Sequence, residues 1–241
     1  MLKILAIGNS FSQDATRYIH EIAAHNGKNI KVVNLYIGGC PLRTHYVNSV
    51  DDRKNYSIEF NGVTTGFFAS IKEALISDEW DIVTLQQSSN KSFKFETYQP
   101  YLDFMADYIK KYSPSSKIYI HQTWPYEQES ERLAALGFEN SIDMFNGLKD
   151  AYIKAKDAIG AEGIIPAGEL VVKLYENGLA NVYRDTYHLN RGITRYAVAL
   201  LWYKLFTGAD VLNDTFCNLD AEASQEELEL ARKLAASMEL Q

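Results

Sequence analysis

The chain has 241 residues, of which 46% are hydrophobic and 23% charged, a composition that excludes intrinsic disorder and small disulfide-stapled scaffolds. The formal net charge is −7 and no basic stripe is present, so we expect no binding to nucleic acid. The longest apolar run, residues 197–203, is too short to cross a membrane, and no membrane association is expected.

Strand-like and helical stretches alternate along the chain. Short apolar runs predict core strands at residues 2–7, 30–37, 81–86, 117–122 and 162–165. Helices are predicted at residues 14–26, 67–76, 98–112, 141–159, 168–177, 190–206 and 221–238, and a small hairpin at 56–64. The alternation predicts one domain, residues 1–241, folded as a three-layer α/β/α sandwich around a parallel sheet of about five strands.

Neither cysteine, Cys40 or Cys217, belongs to a C-x-x-C pair, so zinc binding and thioredoxin-type chemistry have no support. No metal site and no cofactor are predicted. A strand pattern begins at Leu2, which leaves no room for a signal peptide. If the sequence is full length, we expect a cytoplasmic protein. If a signal peptide has been removed, a secreted or periplasmic one is expected. Nothing in the sequence indicates an oligomeric state.

In sheets of this class, sites form in the loops that leave the carboxyl ends of the strands. Gly8-Asn9-Ser10-Phe11-Ser12 follows the first strand directly, where a helix N-terminus could stabilise an oxyanion formed near a serine nucleophile. The same segment is also typical of an ordinary turn in which Ser12 or Asp14 is the helix N-cap, and this is the alternative interpretation.

Near the C-terminus, Asp185 lies three residues before His188, a spacing that can place a carboxylate on imidazole Nδ1 and leave Nε2 free as a general base. A polar turn before a helix is the alternative interpretation. His45, in the loop after the second strand, and Trp124, at the end of the fourth, are candidates for contact with a substrate. For Trp124, packing at the edge of the core is an equally good interpretation.

In chain order these loops resemble the sequence blocks of the SGNH, or GDSL-type, hydrolase superfamily. Gly8-Asn9-Ser10 looks like the first block, with Asn9 where Asp is usual, and Asp185-x-x-His188 looks like the last. Residues 34–39 resemble the second block and residues 81–90 the third, in which Ser88 and Lys91 replace the usual Gly and Asp. The G-N-S-F-S opening resembles a bacterial branch described as a domain of unknown function.

The resemblance covers residues 2–208 and implies a flavodoxin-like sheet and a serine ester hydrolase that forms an acyl-enzyme. It implies Ser10 as the nucleophile, His188 as the base and Asp185 as the residue that orients the base. The implied substrates are O-acetylated carbohydrates, including oligosaccharides, or other short acyl esters.

The resemblance also implies an oxyanion hole. Its donors would be the backbone amides of Ser10 and Gly39, together with the side-chain amide of Asn90 or of Gln87.

Two other functions remain open. A catalytically silent carbohydrate-binding relative would account for the altered third block. A flavodoxin-like module that binds phosphate or flavin could use the loop after the first strand, but it would leave Asp185 and His188 without a role.

Overall fold

A central seven-stranded sheet organises the protein, which we describe from a computed structural model of residues 1–241. The strands are β1 (Leu2–Gly8), β2 (Ile30–Tyr36), β3 (Tyr56–Phe60), β4 (Val63–Ala69), β5 (Ile82–Leu85), β6 (Lys117–His121) and β7 (Gly163–Ile165), in the order β4-β3-β2-β1-β5-β6-β7. Five neighbouring strands of the sheet, β2, β1, β5, β6 and β7, are parallel to one another. Their arrangement, 2-1-3-4-5 when numbered among themselves, is flavodoxin-like, which confirms the predicted fold class.

Ten helices surround the sheet: α1 (Ser10–Thr16), α2 (Ile19–His25), α3 (Leu42–Val50), α4 (Ile71–Ile76), α5 (Tyr101–Tyr112), α6 (Glu131–Ala135), α7 (Ser141–Ile159), α8 (Ala167–Glu176), α9 (Ile193–Thr207) and α10 (Gln225–Ser237). Alternate residues of β1 supply the two cores, since Ile4 packs into one cluster and Leu5 and Ile7 into the other. Helices α1, α2, α8, α9 and α10 pack in the first cluster, and α3, α4, α5 and α7 in the second. No helix is long and apolar enough to span a bilayer.

Three local predictions need correction. The predicted hairpin is longer than expected and joins the sheet, because β3 and β4 pair antiparallel with each other and β3 pairs with β2. Residues 67–69, predicted as the start of a helix, are therefore the end of β4, and the helix begins after the N-cap Ser70. The first predicted helix is two helices, α1 and α2, separated at Arg17 and Tyr18.

Candidate functional site

Asn9 shapes the loop that presents Ser10. Its side chain is the N-cap of α1: Oδ1 accepts from Phe11 N at 3.0 Å and from Gln86 Nε2 at 2.8 Å, while Nδ2 donates to Cys40 O at 3.1 Å. An aspartate could accept the first two bonds but has no proton for the third. Asparagine at this position therefore ties the loop after β1 to the loop that carries Gly39. This N-cap also replaces the Ser12 or Asp14 cap considered from the sequence.

Ser12, the neighbouring serine, has a buried structural position. Its Oγ lies 2.7 Å from Asn34 Oδ1 and 2.8 Å from Asn9 O, and the side chain is almost fully buried. A Cβ on Gly8 would lie 2.4 Å from that Oγ, so only glycine leaves room for it. Ser10, in contrast, is half-buried and lines an open cleft.

Ser10, His188 and Asp185 form a continuous hydrogen-bonded chain. Ser10 Oγ lies 2.8 Å from His188 Nε2, and His188 Nδ1 lies 2.8 Å from Asp185 Oδ2. Asp185 Oδ1 also accepts from the backbone N of His188 at 2.9 Å. Burial raises the pKa of Asp185, but the hydrogen bonds from the ring and backbone of His188 outweigh it, so the pKa of this carboxyl is lowered overall. An ionised Asp185 can hold the His188 ring with Nε2 directed at the serine.

The turn between Asp185 and His188 contains a strained residue. Thr186 has φ +71°, a left-handed conformation that is uncommon for a β-branched side chain. Two bonds from the segment after β6 hold it: Glu127 N donates to Thr186 O at 2.8 Å, and the hydroxyls of Ser130 and Thr186 are 3.0 Å apart. Strain of this kind persists only where surrounding contacts fix the backbone, as they do here.

A buried ion cluster joins the two ends of this hydrogen-bonded chain. Asp14, one turn after Ser10 on α1, is fully buried and accepts from Arg184 Nη1 at 2.9 and 3.0 Å and from Arg195 Nε at 2.8 Å. It also accepts from the backbone N of Leu189 at 2.9 Å. A single carboxylate on the serine helix therefore binds both sides of the segment that carries His188.

The candidate oxyanion donors face the same cleft. Ser10 is the first residue of α1, so its N–H has no acceptor within the helix, and Gly39 N makes no backbone hydrogen bond. Asn90 is exposed at the cleft, and its Oδ1 accepts from Ser88 Oγ at 2.9 Å, which leaves Nδ2 without a protein acceptor. Ser88, which replaces the usual glycine of the third block, thus orients the amide of Asn90.

Gln87, the alternative oxyanion donor, is not in the cleft. Its Oε1 accepts from Leu42 N at 3.0 Å and Ser88 N at 2.9 Å, and its Nε2 donates to Thr97 O at 3.0 Å. The side chain is fully buried, so its hydrogen bonds connect loops and none is directed to a ligand.

His45 and Trp124 are buried as well, and the structure does not support their predicted contact with a substrate. His45 Nδ1 lies 2.8 Å from the Tyr56 hydroxyl, and burial lowers the pKa of the imidazole to about 3. Trp124 stacks on Phe11 with ring centroids 4.4 Å apart, and its Nε1 donates to Tyr187 O at 2.8 Å. Trp124 therefore supports the His188 loop from inside the core.

The cleft has a volume of about 420 Å³, and only four of its fifteen lining residues are hydrophobic. Several polar and aromatic residues of this lining were not predicted from the sequence, namely Gln13, Tyr36, Tyr126, Arg132, Arg184 and Tyr187. Arg184 adjoins the Asp185 motif, which was a usable signal. Arg132 lies in an irregular polar stretch that gave none. No group of three or more His, Cys, Asp or Glu side chains is arranged to hold a metal ion.

The model of the family described as "Domain of unknown function (DUF4886)" matches residues 3–238. No curated protein matches the sequence. The crystal structure of a DUF4886 family protein from Bacteroides uniformis ATCC 8492 superposes with a TM-score of 0.90 at 29% identity, covering 98% of this chain and 93% of that one.

Two more distant structures share the fold. A protein from Slackia heliotrinireducens, proposed to be an SGNH hydrolase, gives a TM-score of 0.60 at 22% identity over 84% of this chain and 97% of that chain. The acetyl xylan esterase AlAXEase gives 0.54 at 16% identity over 83% and 98%. The chain belongs to the DUF4886 family and has the α/β/α fold of the SGNH hydrolases.

Proposed function

We propose that the protein is a serine ester hydrolase that removes short acyl groups, acetyl foremost, from carbohydrates or other small alcohols. The observation that carries this proposal is the chain from Ser10 Oγ through the His188 ring to Asp185, with 2.8 Å at each side-chain contact, open to a cleft. A hydroxyl within hydrogen-bond distance of an oriented imidazole is the arrangement that activates a serine nucleophile.

In this mechanism Ser10 Oγ attacks the acyl carbon while its proton moves to His188 Nε2. The ionised Asp185 carboxylate stabilises the imidazolium, and the amides of Ser10 and Gly39, with Asn90 Nδ2, stabilise the negative oxygen of the tetrahedral intermediate. When the intermediate collapses, His188 returns the proton to the leaving alcohol. The same base then activates water, which attacks the acyl-enzyme and releases the acid.

The cleft supports a short acyl group. A long acyl chain gains about 0.8 kcal/mol for each buried methylene, but only where apolar surface is available to cover it. With four hydrophobic residues among fifteen, this lining has little such surface. The acetyl xylan esterase of the same fold points to acetylated sugars as the first substrates to test.

The test uses a fluorophosphonate probe and a series of p-nitrophenyl esters. We expect covalent labelling in the wild type and in Ser12→Gly, and none in Ser10→Ala, with circular dichroism confirming that each variant folds. Hydrolysis should be fastest for the acetate and should fall with acyl chain length, and acetylated xylo-oligosaccharides should release acetate. Labelling that survives in Ser10→Ala would refute the assignment. Sugar binding without ester turnover would instead favour a silent carbohydrate-binding protein.

A further inference from the structure

Arg132 is a cation at the candidate site without a carboxylate partner in the protein. It lines the cleft with Ser10 and His188, and no carboxylate lies within 4.0 Å of its guanidinium. Its guanidinium carbon lies 4.4 Å from the centroid of the Tyr187 ring, and that ring is in turn 4.0 Å from the imidazole of His188. A positive charge is thus held one aromatic ring away from the proposed base.

The segment that carries Arg132 is attached to the catalytic loop. Ser130 Oγ accepts from Arg132 N at 3.2 Å, and the same hydroxyl lies 3.0 Å from that of Thr186. Stacking on Tyr187 limits the guanidinium to one plane, so part of the entropy cost of ordering it is already met in the free protein. These contacts give Arg132 a defined position relative to His188.

The charge of the cleft contrasts with that of the whole protein. The formal net charge is −7, yet the lining contains two arginines and no aspartate, glutamate or lysine. The guanidinium of the second arginine, Arg184, makes all of its internal hydrogen bonds through Nη1, to Asp14 and to Leu189 O, so its Nε and Nη2 have no internal acceptor. Both guanidinium groups can therefore donate to a ligand.

We propose that the natural ester carries a carboxylate on its alcohol portion and that Arg132 is the residue that binds it. This inference rests on the proposed esterase function. A guanidinium donates two parallel N–H groups to a carboxylate, a geometry that fixes orientation as well as charge. The charge belongs on the alcohol portion because an acetyl group has no position for one. Acetylated uronic acids and acetylated hydroxy acids are the substrate classes that fit.

The experiment compares 4-acetoxybenzoate with its uncharged methyl ester, each rate divided by the ester's uncatalysed hydrolysis rate to remove the difference in leaving group, and 4-acetoxybenzenesulfonate and 4-acetoxyphenyl phosphate serve as other anions. For the wild type we expect kcat/KM to be higher for the carboxylate than for the methyl ester by about tenfold or more, with the preference weakening as salt is added. In Arg132→Gln the preference should fall to within about twofold of unity, mainly through KM. The charge-matched control Arg53→Gln, which alters an exposed residue paired with Asp51, should keep the wild-type preference.

The outcomes separate this inference from the function on which it rests. Hydrolysis of both esters without a preference, or a preference that survives in Arg132→Gln, would overturn the inference and leave the esterase function standing. A stronger preference for the sulfonate or the phosphate would also overturn the choice of carboxylate. If no ester is hydrolysed, the proposed function fails, and calorimetric titration with 4-hydroxybenzoate and its methyl ester then decides whether Arg132 binds a carboxylate.

Discussion

Asp14→Asn tests how the protein joins its serine to its histidine. The substitution keeps the size of the side chain but removes its charge and replaces one acceptor oxygen by a donor NH₂ group. Wild-type Asp14 accepts from Arg184, Arg195 and the backbone of Leu189, so at least one of these donors would face another donor in the variant. Both guanidinium groups would also lose their buried counter-charge.

The magnitude follows from burial. Asp14 is fully buried, and the side chain of Arg195 is only 10% exposed. Removing one partner of a buried ion pair typically costs ~3–5 kcal/mol, because the remaining charge is left uncompensated. In a chain of this size each 1 kcal/mol lowers Tm by about 2–4 °C, which gives an expected drop of about 6–20 °C. Because the cluster also positions the His188 segment, we expect kcat to fall more than KM rises.

Urea denaturation followed by circular dichroism measures the loss, with p-nitrophenyl acetate hydrolysis as the second readout. Asp107→Asn is the matched control, since it makes the same change of charge on the exposed face of α5 and should stay within about 0.5 kcal/mol of wild type. A double-mutant cycle with Arg184→Gln isolates the pairwise coupling energy. If Asp14→Asn is no more destabilising than Asp107→Asn, the buried cluster does not hold the site together and the reasoning fails.

Asn90→Ala is expected to lower kcat by ~10²–10³-fold with little change in KM, because the amide acts on charge that develops in the transition state. Gln87→Ala should instead lower the denaturation midpoint. An equal loss of kcat in both variants would indicate that Gln87 also acts as an oxyanion donor. Burial lowers the pKa values of His45 and His121 to about 3, whereas an imidazole in the unfolded chain is protonated near pH 6.5. The contribution of these two neutral histidines to the free energy of unfolding should therefore be fully present above about pH 6.5. It should be lost as the pH drops towards 3, by up to ~1.4 kcal/mol per pH unit for each histidine. Equal urea midpoints at pH 7 and pH 5 would contradict this.

The core strands and the two ends of the site could be predicted because their signals are local. A glycine turn after an apolar strand marks the loop of Ser10, and Asp185 lies close enough in sequence to His188 to suggest their contact. The length of the hairpin was underestimated because strand pairing, and not local sequence, determines where β4 ends. Residues 67–69 have the apolar character that a helix start can show, but pairing between β3 and β4 decides their conformation.

Which polar side chains face the cleft could not be predicted, because neighbouring residues of one turn differ in orientation and not in type. Gln87 and Asn90 are both amides after β5, yet one connects buried loops and the other is exposed at the site. His45 follows Gly39 closely, but it lies on a face of α3 that packs into the interior. The role of Asp14 in the buried ion cluster depends on contacts with arginines 170 and 181 residues away, and no local sequence pattern indicates such contacts.

The bond between Ser10 and His188 spans 178 residues, so synthesis and assembly of the site are far apart in time. A chain emerging from the ribosome exposes the serine early, but the imidazole follows only after about four-fifths of the chain has been made. In the proposed mechanism, the hydroxyl is an ordinary weak nucleophile until the His188 segment docks on α1, and a fluorophosphonate should label it poorly before then. Labelling of chains stalled at increasing length would therefore report the stage of synthesis at which the His188 segment docks on α1, before or after the helices α9 and α10 that follow it have been made.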